Sequence, residues 1–385
     1  MASVYPSAKQ KKVKPPKSRP VGTSALSQPV TQQTGSLATL ASFSPKANLF
    51  ALLSLAVDRH RLRVYDTATA QANAEYIVQP ARATCLHWMD IPPDPAQAQK
   101  KKKKRDSAGS TSKKSRTQVV ALGLSSGAIT FFSPAHGSPV LTLSNSASNT
   151  AVLDAVLDPG GDRLWTSSED ASIRLWDMTS NTILQTWRSD DRIPYTCISL
   201  EPRVMDESSR PVGLLAAHHA AKLLSVNLSS ETSSSKPTIF ASFPGHTTSI
   251  SNIAWTTSKQ FVTVAHGDKF VQGWTIPKNG GVGTVAFSAA LDAEARKAYV
   301  SPSGEFIVAT SVSGAISIFR IPSQHNPASS LAPESVVNLS ISRGKGQVEN
   351  ADVIDAVFSA DSPGLIHVAR IIAGARPAFE TVVCP

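Results

Sequence analysis

The segment from Leu164 to Asp177 constrains the fold of this chain more than any other part of the sequence. It reads Leu-Trp-Thr-Ser-Ser-Glu-Asp-Ala-Ser-Ile-Arg-Leu-Trp-Asp, so two short runs of strand-forming residues flank a Ser-Glu-Asp-Ala turn. Asp170 stands in the turn, and the second run ends on the pair Trp176-Asp177. Short apolar runs bounded by turn residues predict a hairpin of two strands rather than a helix.

The same hairpin pattern recurs along the chain in weaker copies. The segment Gly-Asp-Lys-Phe-Val-Gln-Gly-Trp at 267–274 places Asp268 in the turn and Trp274 at the end of the second run. Further copies close on the aromatic residues Tyr65, Phe132 and Phe319. Phe132 and Trp176 are 44 residues apart, Trp274 and Phe319 are 45 apart, and the 98 residues from Trp176 to Trp274 leave room for one weaker copy. A period of about 40–45 residues is typical of one blade of a WD-repeat β-propeller.

The recurring pattern predicts an all-β fold, a seven-bladed WD-repeat β-propeller over residues 36–385. No stretch with helical periodicity competes with the short strands. Closing the ring of blades protects strand edges that would otherwise be exposed, and we expect residues 36–43 to complete the last sheet. The predicted blades lie near 40–80, 82–140, 149–188, 193–240, 246–285, 292–325 and 350–383.

The positive charge of the chain is concentrated in two segments with almost no large apolar residues. The net charge is +10, yet the basic residues of 1–35 and 94–117 together exceed that value, so the rest of the chain is slightly acidic. Segments of this composition cannot bury enough apolar surface to fold alone. We therefore predict a disordered basic tail at 1–35 and a disordered lysine-rich insertion at about 94–117 within the second blade.

Two functional interpretations of these basic arms, nuclear import and contact with RNA, are compatible with each other. Runs of Lys and Arg are typical of nuclear localisation signals, and flexible lysines also neutralise phosphates without base specificity. A solvated loop without a role is the remaining interpretation. The predicted import or RNA-binding residues are Lys9, Lys11, Lys12, Lys14, Lys17 and Arg19 in the tail, and Lys100, Lys101, Lys102, Lys103, Lys104, Arg105, Lys113, Lys114 and Arg116 in the insertion.

One polar constellation in the sequence is predicted to be structural rather than catalytic. A Gly-His pair, a turn Asp and a Trp stand at the spacing of a complete WD repeat, and Thr263 is a candidate hydroxyl partner of the histidine. No nucleophile stands at a suitable spacing from them, and the Gly-x-Ser-x-Gly pattern at 123–127 belongs to a predicted return strand rather than to a strand-to-helix elbow, so the sequence predicts no enzyme and no catalytic residue. The predicted structural positions are His246, Asp268 and Trp274 in one repeat and Asp170, Trp176 and Asp177 in another.

The sequence predicts neither a metal nor a cofactor. His218 and His219 are adjacent, so on a strand they are expected to point to opposite faces and not to share a metal. The three cysteines are widely spaced, which excludes a Cys-x-x-Cys metal site. The longest apolar run, from Leu49 to Val57, is too short to cross a bilayer, so we expect no membrane partner.

The order of the motifs resembles that of a known family. The basic tail, the strand Thr-Cys-Leu-His-Trp at 84–88 with the lysine-rich insertion behind it, and the return strand at 123–129 are similar to the WD-repeat subunits of the small-subunit processome. The segments Ile-Ser-Arg-Gly-Lys-Gly at 341–346 and Pro-Ala-Phe-Glu-Thr-Val at 377–382 also resemble that family. The resemblance covers essentially the whole chain and rests on the order of the motifs and on the insertion.

The resemblance implies a nucleolar, non-enzymatic scaffold in ribosome biogenesis. Its partners would be other WD-repeat subunits of the U three protein A subcomplex and the 5′ external transcribed spacer of pre-ribosomal RNA, in support of rDNA transcription and 18S RNA maturation. Family members also carry a helical C-terminal domain, which we expect to be absent because the last predicted blade ends at 383. The alternative is a nuclear WD-repeat adaptor, such as a ubiquitin-ligase substrate receptor or a chromatin peptide reader. Neither interpretation involves a small-molecule substrate.

Overall fold

The computed structural model consists of strands and turns, with no helix among the residues it describes. In that part of the chain, accordingly, nothing helical is long and apolar enough to cross a membrane. The described residues are 40–55, 60–92, 116–144, 149–202, 211–228, 236–322, 329–331, 333, 335–338, 340–343, 347–350, 352–362, 364–371 and 376–384.

Seven antiparallel sheets follow one another along the chain, and each is one blade. The first three blades have four strands each, in sequential order. Blade 1 contains β1 (Ala41–Phe43), β2 (Leu49–Leu55), β3 (His60–Asp66) and β4 (Ala72–Val78). Blade 2 contains β5 (Ala83–Ile91), β6 (Thr117–Leu124), β7 (Ile129–Ser133) and β8 (Ser138–Leu143). Blade 3 contains β9 (Val152–Leu157), β10 (Arg163–Ser168), β11 (Ser172–Asp177) and β12 (Thr182–Arg188).

Blades 4 and 5 each gain a fifth, parallel strand from the blade that follows. Blade 4 contains β13 (Cys197–Leu200), β14 (Val212–Ala217), β15 (Ala220–Val226) and β16 (Thr238–Pro244), and it is extended by β20 (Gly281–Val282). Blade 5 contains β17 (Ile250–Thr257), β18 (Gln260–Ala265), β19 (Phe270–Thr275) and β21 (Thr284–Ala290), and it is extended by β25 (Ser329–Leu331). The added strands cover the outer edges of these two sheets.

Blade 6 departs from its predicted limits, whereas blade 7 lies within them. Blade 6 contains β22 (Ala295–Val300), β23 (Phe306–Ser311), β24 (Ala315–Arg320) and β26 (Ser335–Asn338), so it ends beyond the predicted limit of 325. A separate hairpin of β27 (Ser340–Arg343) and β28 (Gln347–Asn350) follows. Blade 7 contains three strands among the described residues, β29 (Asp352–Phe358), β30 (Leu365–Ile371) and β31 (Ala378–Val383). The seven-bladed β-propeller predicted from the sequence is confirmed.

The burial of each strand reflects its place in the blade. Middle strands such as β6 and β10 are buried on both faces because each sheet is sandwiched between two neighbours, and they read as nearly continuous apolar or small residues. The outer strand β12 alternates between exposed and partly buried side chains, as expected for a sheet edge at the surface. Seven apolar clusters form the core, and each joins one blade to the next around the ring.

The ring closes differently from the way the sequence suggested. We expected residues 36–43 to complete the last sheet, but β1 is the innermost strand of blade 1, with Ala41 opposite Leu52 and Phe43 opposite Phe50. The apolar alternation that predicted a strand cannot specify which sheet the strand joins, and this prediction was wrong for 41–43. Residues 36–39 lie outside the described residues. Blades 1 and 7 instead meet through side chains, since the ring centroids of Phe43 and Phe379 are 6.1 Å apart.

Candidate functional site

The two faces of the ring are defined by its turns. The lower face carries the turns that join the first and second strands of each blade, and the upper face carries the turns that join the second and third strands. Because neighbouring strands in a blade are antiparallel, every first strand runs from the upper face to the lower face. Strand order alone therefore indicates the face of the ring on which each turn lies.

The lysine-rich insertion is rooted on the lower face. Ile91, the last residue of β5, pairs with Thr117, the first residue of β6, so the chain leaves and re-enters blade 2 at that face. Arg116 ends the insertion and donates hydrogen bonds to the carbonyl oxygens of Pro159, at 3.1 Å, and Gly160, at 2.6 Å. These carbonyls belong to the lower-face turn of blade 3. The guanidinium thus attaches the base of the insertion to the neighbouring blade.

The first described residue of the ring lies on the opposite face. Leu53 N, near the end of β2, donates to Leu40 O over 3.0 Å, which places the start of β1 at the upper face. Leu40 and Arg116 thus lie at opposite faces of the propeller. The other predicted basic residues, from Lys9 to Arg19 and from Lys100 to Lys114, lie outside the described residues.

The histidine constellation of blade 5 forms one buried chain of hydrogen bonds. His246 Nδ1 lies 2.6 Å from Asp268 Oδ2, and His246 Nε2 lies 2.7 Å from Thr263 Oγ1. Trp274 Nε1 donates to the same Thr263 oxygen over 2.9 Å. The indole nitrogen can only donate, so the threonine hydroxyl accepts from Trp274. The Asp268 carboxylate accepts from His246 Nδ1–H, and in that tautomer Nε2 accepts the proton of the threonine hydroxyl. The chain of hydrogen bonds links the entry to the blade with its second and third strands.

The corresponding site of blade 3 uses an arginine where blade 5 uses a histidine. Trp176 Nε1 donates to Thr166 Oγ1 over 3.1 Å, which repeats the Trp–Thr contact of blade 5. The turn residue Asp170, however, forms a buried ion pair with Arg174. Asp177 accepts hydrogen bonds within the next turn, from Thr179 N and Ser180 Oγ, and these bonds lower its pKa. Sequence reasoning missed Arg174, although its position four residues after a turn aspartate was visible.

A second buried carboxylate, also missed from the sequence, ties three blades together. Asp154 on β9 accepts a hydrogen bond from Ile198 N of blade 4 over 2.7 Å. Its other oxygen lies 2.6 Å from Nε2 of His87 in blade 2. Partial burial of the imidazole lowers the pKa of His87, but the carboxylate of Asp154 raises it by more, to about 10. His87 is therefore an imidazolium at neutral pH, and Asp154 is its counterion.

Blade 7 contains a matching carboxylate where the ring closes. Asp355 on β29 is fully buried and accepts from Tyr299 Oη over 2.9 Å and from Phe43 N over 3.2 Å. Lys297 Nζ lies 3.4 Å from Asp355 Oδ1, the same oxygen that accepts from Tyr299, and also donates to Ala41 O over 2.7 Å. Burial, together with the carboxylate, raises the pKa of Tyr299 well above its usual value, so the phenol remains a donor.

The sequence does contain a signal for these two carboxylates. Residues 152–156 read Val-Leu-Asp-Ala-Val, and 353–357 read Val-Ile-Asp-Ala-Val. In each, an acid interrupts a strand that is otherwise apolar, and a buried acid needs a partner. The repetition of this pattern in blades 3 and 7 could have identified both residues as connections between blades.

The histidine pair of blade 4 does not lie on a strand, contrary to expectation. The strands end at Ala217 and resume at Ala220, so His218 and His219 form the upper-face turn. Their Nδ1 atoms are 3.0 Å apart rather than on opposite faces. The expectation assumed a regular strand, in which neighbouring side chains point to opposite faces. In a tight turn the side chains do not alternate in this way. Among the described residues, no group of three or more His, Cys, Asp or Glu side chains is placed to hold a metal.

Two surface depressions lie on either side of the outer part of blade 4. The smaller, about 50 Å³, lies towards blade 3 and is crossed by the ion pairs Lys222–Asp191 and Lys236–Asp190. The larger, about 370 Å³, lies towards blade 5 and has an apolar floor. We call the larger depression the blade 4–5 groove. It is lined by Glu201, Phe240, Lys259, Ile276, Pro277 and Lys278, together with neighbouring residues.

Comparison with known proteins agrees with the repeat pattern. Residues 134–177 and 237–275 match the family described as WD domain, G-beta repeat. Each match runs from the outermost strand of one blade through the third strand of the next, from β8 to β11 and from β16 to β19. Each sequence repeat is therefore offset by one strand from the sheets. One repeat supplies the outermost strand of one blade and the first three strands of the next.

Two further similarities extend over most of the chain. It is 20% identical over 292 residues to U3 small nucleolar RNA-associated protein 5 of Saccharomyces cerevisiae, a match that covers 73% of this chain and 39% of the yeast protein. The chain thus spans less than half of the length of that relative. A chain in the crystal structure of the mitotic checkpoint complex superposes with a TM-score of 0.60 and 12% identity, over 98% of this chain and 100% of that one. At that identity the likeness shows the propeller fold alone.

Proposed function

We propose that this chain is a non-enzymatic scaffold subunit of the small-subunit processome, which acts in ribosome biogenesis. Its propeller binds other WD-repeat subunits, and its lysine-rich arms bind the 5′ external transcribed spacer of pre-ribosomal RNA. The observation that carries the proposal is the similarity to a yeast protein associated with a small nucleolar RNA, over 73% of this chain. The same similarity supports residence in the nucleus and nucleolus, where the basic arms would serve as import signals.

The charge distribution supports a division of labour between ring and arms. The slightly acidic ring is a rigid body with many separate surfaces, which suits protein contacts at low cost in ordering. Lysines in the arms can neutralise phosphates without reading bases. A scaffold of this kind holds protein and RNA partners together and needs no catalytic residues.

The structure defines the deletion that tests the RNA contact. Arg116 and Thr117 belong to the ring, so the deletion removes 94–115 and leaves the Arg116 hydrogen bonds and β6 intact. We expect the tagged full chain to crosslink to the 5′ external transcribed spacer in cells and to co-purify with processome subunits. Removal of 94–115 should reduce those RNA crosslinks while the melting temperature stays the same.

A pair of variants with the loop length unchanged separates the charge of the lysines from the length of the loop. Changing Lys100 to Lys104 to glutamine should reduce crosslinking, whereas changing Ser107, Ser110 and Ser112 to alanine should not. Unchanged crosslinks in the glutamine variant would exclude the RNA role of the insertion. Co-purification with ubiquitin-ligase subunits or histones, in place of processome subunits, would instead support the adaptor function.

A further inference from the structure

Exposed apolar side chains are concentrated at the outer edge of blade 4. Among the described residues, eight large apolar side chains are exposed, and three of them, Ile239, Phe240 and Val282, lie on the paired strands β16 and β20. Val282 is 68% exposed and Phe240 is 39% exposed. Single exposed apolar residues are ordinary on protein surfaces, but three of them on two paired strands, with one lining a depression beside the strands, favour an interaction site there.

A bulge in β16 turns this apolar edge towards the blade 4–5 groove. The register of β16 on β15 shifts between Leu223 and Leu224, which skips Phe240. The ring of Phe240 consequently lines the groove with Ile276 and Pro277, while its neighbour Ile239 lines the smaller depression on the other side. The groove therefore has an apolar floor, and the adjacent side chain offers a matched control outside it.

The rim of the groove is cationic although the ring is slightly acidic. Lys259 and Lys278 are both exposed, and within the described residues neither forms an ion pair. Glu201 is the acidic residue of the lining, so the two ammonium groups outweigh it. An apolar floor with unpaired ammonium groups is complementary to a large apolar side chain flanked by carboxylates.

We propose that the blade 4–5 groove binds an extended peptide segment of a partner protein, with one large apolar side chain against Phe240 and acidic residues against Lys259 and Lys278. The inference deepens the proposed function, on which it rests, because it identifies one surface through which the scaffold holds a protein partner. The groove opens among lower-face turns of blades 4 and 5, on the face that carries the root of the lysine-rich insertion. That face then holds an acidic protein segment and RNA side by side.

The experiment uses the full chain and a fluorescein-labelled peptide, Gly-Asp-Glu-Phe-Asp-Leu-Glu-Gly, in a titration followed by fluorescence anisotropy. We expect a dissociation constant on the order of 10 µM at low salt. Phe240→Ser should weaken binding about tenfold, as should the pair Lys259→Glu and Lys278→Glu. Ile239→Ser, one residue away but outside the groove, should leave binding within about twofold. Melting temperatures of the variants report whether each remains folded.

Three outcomes decide against the proposal. Absence of peptide binding up to about 1 mM, or an equal loss from Ile239→Ser and Phe240→Ser, would overturn it. The chain's own segment 203–210 contains Val204, Met205, Asp206 and Glu207 and connects two parts of the groove lining. Replacing 203–210 with Gly and Ser should leave the affinity unchanged, and a clear gain would show that this segment, not a partner, occupies the groove. The titration contains no RNA, so absence of peptide binding would leave the proposed association with pre-ribosomal RNA unaffected.

Discussion

At the scale of single residues, Thr263 connects two buried side chains of blade 5. Its hydroxyl accepts from Trp274 and donates to His246, so Thr263→Val would leave two buried polar groups without a partner. We expect a loss of about 2–4 kcal/mol in the free energy of unfolding, measured in urea. Thr166→Val in blade 3 is the matched control, since Thr166 accepts a single tryptophan N–H and should cost about half as much. An equal cost for the two variants would contradict the shared role of Thr263.

The pH dependence of stability tests the imidazolium of His87. Its pKa is about 10 in the folded protein and about 6.5 when unfolded, so its stabilisation is complete below about pH 6.5 and is lost as the pH rises towards 10. We expect the difference in melting temperature between the wild type and His87→Gln to shrink between pH 6.5 and 10. Other groups that titrate in this range affect both proteins equally, so their contributions cancel in the difference of melting temperatures. A difference that stays constant with pH would mean that His87 is uncharged in the folded protein.

How far the sequence predicts these residues depends on how local their contacts are. The turn aspartates and closing tryptophans stand within one hairpin, so their spacing alone indicated their positions. Arg174 was equally local but departs from the usual histidine. Asp154 and Asp355 have partners in other blades, so the repeated Val-x-Asp-Ala-Val pattern indicates that each acid needs a partner but not which residue that partner is. His87 appeared as one residue in a strand, and its charge follows only from the carboxylate of another blade.

At the scale of elements, the strands were easier to predict than their pairing. The apolar segment at 40–43 was recognised as a strand, but the wrong sheet was assigned to it. The short strands β20 and β25 escaped prediction because two or three residues carry no periodicity, and their parallel pairing joins blades that sequence analysis treats separately. The limit of blade 6 was misplaced for a related reason, since a long connection separates β24 from β26.

The strand β29 gives a prediction about ring closure. Asp355→Ala would leave the ammonium of Lys297, which is 12% exposed, without its counterion. We expect a loss of about 3–5 kcal/mol, as for other broken buried pairs. Asp154→Ala should cost less, because its partner His87 can release its proton near neutral pH, whereas a lysine cannot do so readily. Urea unfolding of the two variants at pH 7.5 measures the difference, and a larger loss for Asp154→Ala would contradict this ranking.

At the scale of the whole molecule, strand direction fixes the face of the ring at which each described segment ends. Leu40 lies at the upper face, and Ile91 and Arg116 lie at the lower face. The sequence alone could not indicate these faces, because the face on which a segment emerges depends on strand direction within a blade. We expect the two predicted basic arms to make separate phosphate contacts, so their contributions to RNA affinity should be independent.

This independence can be measured through the salt dependence of RNA binding. Each neutralised phosphate of a single strand adds about 0.7 to the slope of log affinity against log salt concentration. Removal of 94–115 should lower the slope, neutralisation of the six basic residues between Lys9 and Arg19 should lower it separately, and the combined variant should lose the sum. Fluorescence anisotropy with a labelled fragment of the 5′ external transcribed spacer, titrated at several salt concentrations, gives the four slopes. A combined loss no larger than that of one arm would mean that both arms compete for the same phosphates, and the two faces would then act as one binding surface.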